Sequence, residues 1–222
     1  MTHTLYLLIV VLASYLVGAL PTAYLITRFV YKVNIFELGS GNMGGTNVAR
    51  IMGIPWGIAT VLIDICKGIM AVYLAQLMIP DSTLSASMLA AVAAIVGHNW
   101  SIFATLLYRY YQKEFKIIGG KGAATAFGTM ILLLPYVVIA ILLITGIGLA
   151  VLTRYASLSV LVSFSTALTW TAVWAIRNGS SDGTTSIYLL YVTSVAVLIL
   201  WRFRENIQRL LAGTERRIGE RV

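Results

Sequence analysis

The sequence predicts an all-α integral membrane protein of seven transmembrane helices, with its N-terminus outside and its C-terminus in the cytoplasm. Three observations carry that expectation. The chain is 59% hydrophobic and 11% charged over 222 residues, with a mean hydropathy of +0.88, and a soluble domain carries far more charge. Its apolar runs are long and continuous, unlike the alternating segments of roughly ten residues that build an outer-membrane barrel. Its charges, which sum to +8, fall mostly on one side of those runs. A single membrane-embedded domain, 1–222, is expected, without internal repeat or boundary.

The first span runs from about Thr4 to Thr27 and stops at Arg28, and Pro21 is expected to kink it by removing a helical hydrogen bond. It is expected to remain as a span, because no basic n-region or small-residue cleavage site marks it as a signal peptide. The second span runs from about Ile54 to Ile79, where Pro80-Asp81 breaks it, and the third from about Leu84 to Leu107. Tyr108 to Lys121 is basic and aromatic. Gly122 to Thr153 carries no charge. As one helix it would run about 48 Å, past a hydrocarbon core of roughly 30 Å. Pro135 stands near its middle, so the stretch reads as a hairpin of two short helices. The last spans run from about Ser157 to Ile176 and from Ser186 to Trp201.

Charge placement favours the hairpin. With it, Arg28, Lys32, Arg50, Arg109, Lys113, Lys116, Lys121 and Arg154 share a side with Arg202, Arg204, Arg209, Arg216, Arg217 and Arg221 of the tail. Only Arg177 beside Asp182, and Asp81, are left opposite. Without it, Arg154 and the tail would cross over. The positive-inside rule then gives seven spans and a cytoplasmic C-terminus. The membrane accounts for the positive balance, so no nucleic-acid partner is expected. The single Cys66 excludes an intrachain disulfide.

This topology gathers three polar motifs on the cytoplasmic face. The first is Gly39-Ser40-Gly41-Asn42-Met43-Gly44-Gly45-Thr46-Asn47-Val48-Ala49-Arg50. Its glycines let the backbone approach a ligand closely and turn successive N–H groups into an anion nest. Ser40, Asn42, Thr46 and Asn47 add hydroxyl and amide groups, and Arg50 adds a permanently charged fork suited to phosphate. The stretch fits Gly-x-Gly-x-x-Gly, but its membrane-like flanks lack the βαβ unit a dinucleotide site needs.

The second motif starts at Gly97-His98-Asn99-Trp100 and resumes at Gly119-Gly120-Lys121-Gly122. It is not a P-loop, because Phe115 and Gly122 occupy the places of the first glycine and the closing Ser or Thr. What remains is an ammonium in a glycine-rich turn at a helix N-terminus, a favourable place for an anion. The third is Arg202-Phe203-Arg204-Glu205-Asn206-Ile207, continuing through Arg209 to Gly213 and Glu215; topology and lipid headgroups alone also explain such a tail. Asp64 and Lys67 lie on one face of the second span, either as a structural pair or at the base of a polar pocket. His98 is either a helix-packing histidine or a direct participant.

In this order, the first motif, Asp64-Ile65-Cys66-Lys67-Gly68, Gly97-His98, Gly119-Gly120-Lys121-Gly122 with Ala124-Thr125, and Arg204-Glu205-Asn206-Ile207 resemble the bacterial acyl-phosphate-dependent glycerol-3-phosphate acyltransferases (PlsY). The resemblance covers nearly the whole chain. It implies seven spans in the bacterial inner membrane, with the active site on the cytoplasmic face. It implies transfer of a fatty acyl group from acyl phosphate to glycerol 3-phosphate, giving lysophosphatidate and phosphate, the first committed step of phospholipid synthesis. It also implies a functional link to an acyl-carrier-protein:phosphate acyltransferase, and no cofactor or metal.

Motif chemistry and resemblance together nominate Ser40, Arg50, His98, Lys121 and Asn206 as catalytic. They nominate Gly41, Asn42, Gly44, Thr46, Asn47, Lys67, Gly119, Gly120, Gly122 and Arg204 as substrate-binding. The chain departs from the family pattern in places. Gly45 stands where alanine is usual, which reads as a small change. Trp100-Ser101 replaces an aromatic-proline pair, and Phe203 replaces a histidine. About a dozen extra residues lie around Leu106 to Ile117.

An acyl phosphate is already activated, so the protein mainly has to juxtapose two phosphate-bearing substrates and neutralise charge. No covalent nucleophile is required, and the donor phosphate or His98 takes the hydroxyl proton. A phosphate-ester transporter would also use anion nests, but its motifs would lie at the midplane between inverted repeats. A CDP-alcohol phosphotransferase would need an aspartate-rich metal motif, and Asp182-Gly183 stands alone on the opposite side.

Overall fold

The computed structural model describes residues 2–220 apart from 179–182, and its regular structure among them is helical. Asp182 and Arg221 therefore lie outside the described residues. The first apolar stretch is two helices, α1 (Thr2–Ala19) and α2 (Thr22–Val30). The kink expected at Pro21 is thus a full interruption. A helix end exposes carbonyls that need donors, and here other helices supply them. Ser101 Oγ donates to Ala19 O, and Lys67 Nζ donates to Leu20 O at 2.6 Å.

The glycine-rich stretch leads into α3 (Gly45–Met52), followed by α4 (Ile54–Met78) and α5 (Thr83–Asn99). After a break at Trp100-Ser101 comes α6 (Ile102–Gln112). Next come α7 (Ala123–Leu133), α8 (Tyr136–Thr153), α9 (Ala156–Asn178) and α10 (Thr184–Leu211). Among the described residues six stretches can cross a membrane by length and composition: His3–Val30, Ile54–Met78, Leu84–Gln112, Tyr136–Thr153, Ala156–Asn178 and Thr184–Leu211. Ala123–Leu133 is apolar but shorter.

The chain reverses at Leu134-Pro135, as Pro135 in the uncharged stretch predicts. Proline has no N–H to continue α7, and it stands as the residue capping α8. Contacts give the directions. Lys121, just before α7, meets Asn206 near the end of α10, while Leu133 O accepts the Tyr188 hydroxyl near its start, at 3.4 Å. Arg154, just after α8, bonds Ile218 of the tail. Glu215 of the same tail bonds Asn206, so α7 leaves and α8 returns to one end of the bundle.

Tyr191, Met130, Ile95 and Val195 centre the largest apolar cluster, between α5, α7 and α10. Gly68 and Gly128 lie at the contact of α4 with α7, where small residues let membrane helices approach. The residues added around Leu106 to Ile117 form the second half of α6 and the segment after it. Their aromatic face braces α2 and the turn Ile35–Glu37. Tyr24 and Tyr111 share a hydrogen bond of 3.0 Å, Phe36 stacks on Tyr24, and Gln112 Nε2 donates to Glu37 Oε1 at 2.8 Å. The insert therefore buttresses the approach to the glycine-rich stretch.

Candidate active site

In the first motif, Gly44 caps α3 and residues 39–43 form the turn before it. Asn47, 2% exposed, ties this turn to the helix. Its Oδ1 accepts the Ser40 N–H at 2.9 Å, and its Nδ2 donates to Leu38 O at 3.2 Å. Both ends of the amide bond backbone, so Asn47 clamps the loop to the helix. Asn42 Oδ1 accepts the neighbouring Met43 N–H at 3.1 Å. Ser40 and Thr46 are exposed, and Gly41 and Gly44 are half-buried.

A Cβ at Gly44 would meet no protein atom within 4 Å. Gly45 is the opposite case. A Cβ there would lie 2.5 Å from Val61 Cγ2 and 2.7 Å from Gly57 O of α4, so the difference between glycine and alanine at 45 is no small one in this chain. Glycine here lets α3 sit directly on α4.

The turn 118–122 lies across the end of α5. Gly120 N–H donates to His98 O at 2.9 Å and Ser101 N–H donates to Ile118 O at 2.9 Å. Ser101 also caps α6, accepting the Ala104 N–H at 3.0 Å. A proline at 101 could make neither bond. A Cβ on Gly120 would fall 2.1 Å from His98 Nε2 and 2.7 Å from Met43 O. The first and second motifs therefore meet at Gly120. Gly119 is buried beside it, and Gly122 caps α7.

His98 is 7% exposed, and its Nδ1 shares a hydrogen bond of 3.1 Å with Thr125 Oγ1. Beneath it, Lys67 pairs with Asp64 at 2.7 Å, and Asp64 also accepts from Thr22 Oγ1 at 3.0 Å. With its bond to Leu20 O, Lys67 closes the break between α1 and α2. The pair therefore ties α4 to the broken end of the first span.

The third motif is helical, because α10 continues past Trp201 to Leu211. Helical phase sorts its residues: Arg202, Phe203 and Asn206 share a face, and Arg204 lies about 200° from Arg202. Arg204 is exposed, donates to Trp201 O at 2.9 Å and stacks on the Trp201 ring at 5.0 Å. It lies on a different face of α10 from Arg202 and Asn206. Arg202 takes the inward place, donating to Gly120 O at 2.6 and 2.9 Å and to Gly119 O at 3.2 Å.

Lys121 Nζ donates to Asn206 Oδ1 at 2.5 Å and lies 5.0 Å from the Phe203 ring centroid. The Phe203 ring thus offers its face to the ammonium. Burial first, then the charge of Arg209, pushes Lys121 down to about 8, with Arg50 adding to the effect and Glu215 opposing it. Arg50 is also lowered, by burial and then by Arg216. Its Nε is buried without a hydrogen-bond acceptor among the described residues.

Arg209 and Glu215, which the motifs did not single out as working residues, belong to this cluster through a bond of 2.7 Å. Among the described residues no three His, Cys, Asp or Glu side chains come together to hold a metal ion. The arrangement can hold phosphate-bearing anions with guanidinium, ammonium and helix-end amides.

Fold and site together define an integral membrane protein that collects anion-binding groups at one end of its helical bundle. A family model described as glycerol-3-phosphate acyltransferase matches residues 8–213, and the chain belongs to that family of acyltransferases. It is 36% identical over 213 residues to the glycerol-3-phosphate acyltransferase of Halalkalibacterium halodurans, covering 96% of each. It is 37% identical over 214 residues to glycerol-3-phosphate acyltransferase 2 of Moorella thermoacetica, covering 96% of this chain and 98% of the relative.

Among solved structures it resembles the integral membrane glycerol 3-phosphate acyltransferase PlsY (YgiH). In the glycerol 3-phosphate form of that protein the TM-score is 0.79 at 27% identity, over 96% of each chain. In its lysophosphatidic acid form the TM-score is 0.76, over 96% of this chain and 95% of the other.

Proposed function

We propose that this acyltransferase moves a fatty acyl group from acyl phosphate to glycerol 3-phosphate, releasing lysophosphatidate and phosphate. The observation that carries the reading is the cluster about Lys121: Asn206 holds its ammonium, Arg209 and Arg50 act on its charge, and Arg50 Nε is buried with no acceptor among the described residues. Two phosphate-bearing substrates bring several negative charges to one place, and this cluster neutralises them. Gly41, Gly44 and the first amides of α3 serve one phosphate together with Arg50, with Ser40, Asn42 and Thr46 at its rim. Lys121, the amides of the turn Gly119-Gly120-Lys121-Gly122 and Asn206 serve the other.

The acceptor hydroxyl attacks the acyl carbon, the bond to the donor phosphate breaks, and the hydroxyl proton passes to a phosphate oxygen. His98 is the less favoured base: its Nδ1 already shares a hydrogen with Thr125 and Gly120 lies against its Nε2. Binding energy from both phosphates goes into orientation, and charge growing on the leaving phosphate meets donors already in place.

In this reading the six long apolar stretches and α7 each cross the membrane, with the glycine-rich turn before α7 at the cytoplasmic end. The N-terminus is outside, and the site faces the cytoplasm of a bacterial inner membrane, as the basic residues at its end of the bundle favour. Surrounding lipid is the source of contact for the acyl chain. An acyl-carrier-protein:phosphate acyltransferase is the functional partner that forms the donor.

The test is lysophosphatidate formation by detergent-purified protein given glycerol 3-phosphate with acyl phosphate, acyl-CoA or acyl carrier protein in turn. Turnover with acyl phosphate alone is expected. Turnover with a thioester and none with acyl phosphate would overturn the donor assignment.

A further inference from the structure

Glu215 lies just past the stretch that matches the family model, 8–213, in a tail that turns back onto the bundle. Backbone and side chain fasten the return: Ile218 N–H donates to Arg154 O at 2.7 Å, and Arg154 Nη2 donates to Ile218 O at 3.0 Å. That docking delivers the Glu215 side chain, 6% exposed, between α9 and α10. Its Oε1 accepts from Ser157 Oγ at 2.9 Å and from Asn206 Nδ2 at 2.6 Å, and its Oε2 accepts from Arg209 Nε at 2.7 Å.

An amide has one donor end and one acceptor end. With Nδ2 committed to a carboxylate that can only accept, the Asn206 oxygen is the end left for the Lys121 ammonium, which it meets at 2.5 Å. We propose that Glu215 is a positioning residue for the acyl transfer, fixing the Asn206 amide so that Lys121 is held where the substrate phosphate meets it. The inference rests on the acyl-transfer reading of this site.

Charge adds a second consequence. Burial works against ionising Glu215, but the hydrogen bonds from Asn206, Arg209 and Ser157 outweigh it and hold the carboxyl below its ordinary range. Glu215 is therefore an anion at neutral pH. The groups acting on the ammonium are Arg50 of α3, Arg209 and Glu205 of α10, and Glu215 of the tail. Taking away the Glu215 charge leaves Arg209 and Arg50 less opposed and makes Lys121 easier to deprotonate.

The experiment is steady-state kinetics of the full-length Glu215→Gln and Glu215→Asp proteins beside wild type, varying each substrate from neutral to alkaline pH. For Glu215→Gln, kcat should fall about 10- to 100-fold, the range for losing a hydrogen bond to a charged group. The alkaline limb of kcat/KM should move to lower pH. Glu215→Asp keeps the charge, so its limb should stay near that of wild type although kcat falls. A merely structural glutamate would change the yield of folded protein and leave the limb in place.

Wild-type kcat and an unmoved limb in Glu215→Gln would overturn the proposal. Should that variant not fold, Ser157→Ala removes one donor to the same carboxylate without touching the tail's backbone bonds. Unchanged kcat in both Ser157→Ala and Glu215→Asp would then overturn it. A wild-type enzyme inert with acyl phosphate but active with another donor would sink the donor assignment instead, and the same comparison would be read with that donor.

Discussion

Replacing Lys121 with alanine removes an ammonium from a setting in which its charge is held at a cost. Its pKa is pushed from 10.5 down to about 8, by burial and then by Arg209. Discounted for the part of the side chain that meets water, that is roughly 2–3 kcal/mol against the charged form. A phosphate docked on the ammonium recovers this cost, and recovers more as the leaving phosphate gains charge. Lys121→Ala should therefore lower kcat about 10²–10³-fold, as for one preorganised donor. A lysine that grips substrate equally throughout would instead raise KM and leave kcat nearly alone.

The pH dependence follows from the same lysine. In the free enzyme the ammonium is lost as pH rises through about 8, so kcat/KM should fall above that value. Stability moves the other way. The folded pKa lies below the unfolded one, so the destabilisation from the buried charge is complete below pH 8. It is relieved as pH rises towards 10.5. The assay is initial rates on detergent-extracted protein, varying each substrate in turn at several pH values, with Lys121→Arg expected to carry the alkaline limb upward. An alanine variant that keeps kcat, KM and the limb would refute this reasoning.

Arg50→Lys keeps a positive charge but loses the two-pronged guanidinium. Activity should drop at least tenfold, the loss expected for roughly 1.5 kcal/mol of charge-assisted bonding, while insertion into the membrane is unchanged; wild-type kinetics would leave Arg50 as a topology marker. Single cysteines placed at Arg154 and at Arg217, in a Cys66→Ser background, should label from the same face, and labelling from opposite faces would remove the Gly122–Thr153 hairpin. Gly45→Ala forces a methyl against Gly57 O and Val61, and overpacking of this kind costs about 1–3 kcal/mol. It should lower the thermal midpoint in detergent, and an unchanged midpoint would show that α3 is free to shift on α4.

The bundle was legible because its signals are local. Pro135 in an uncharged stretch and the lopsided basic residues together called for the reversal between α7 and α8, and the chain makes it. Pro21 signalled a kink, but the depth of the break depends on Lys67 and Ser101, which reach the freed carbonyls from other helices. No local pattern reveals such partners. The helical period, extended past Trp201, puts Arg204 on a different face from Arg202 and Asn206. Asn47 carried the residue type of a ligand, and only the folded turn shows its amide spent on Leu38 and Ser40. Glu215 stands at the end of the third motif in sequence, but its partners follow from the docking of Ile218 on Arg154, which no local pattern shows.

The central claim is that two phosphates are held side by side and the acyl group passes directly between the substrates, without an acyl-enzyme. The most direct test is isotope exchange in purified enzyme, with labelled inorganic phosphate and acyl phosphate in the absence of glycerol 3-phosphate. Direct transfer predicts no label entering acyl phosphate until the acceptor or its product is present, together with intersecting initial-rate lines. Label exchanging into acyl phosphate without acceptor, with parallel initial-rate lines, would mean that a side chain of the protein carries the acyl group and would contradict the account.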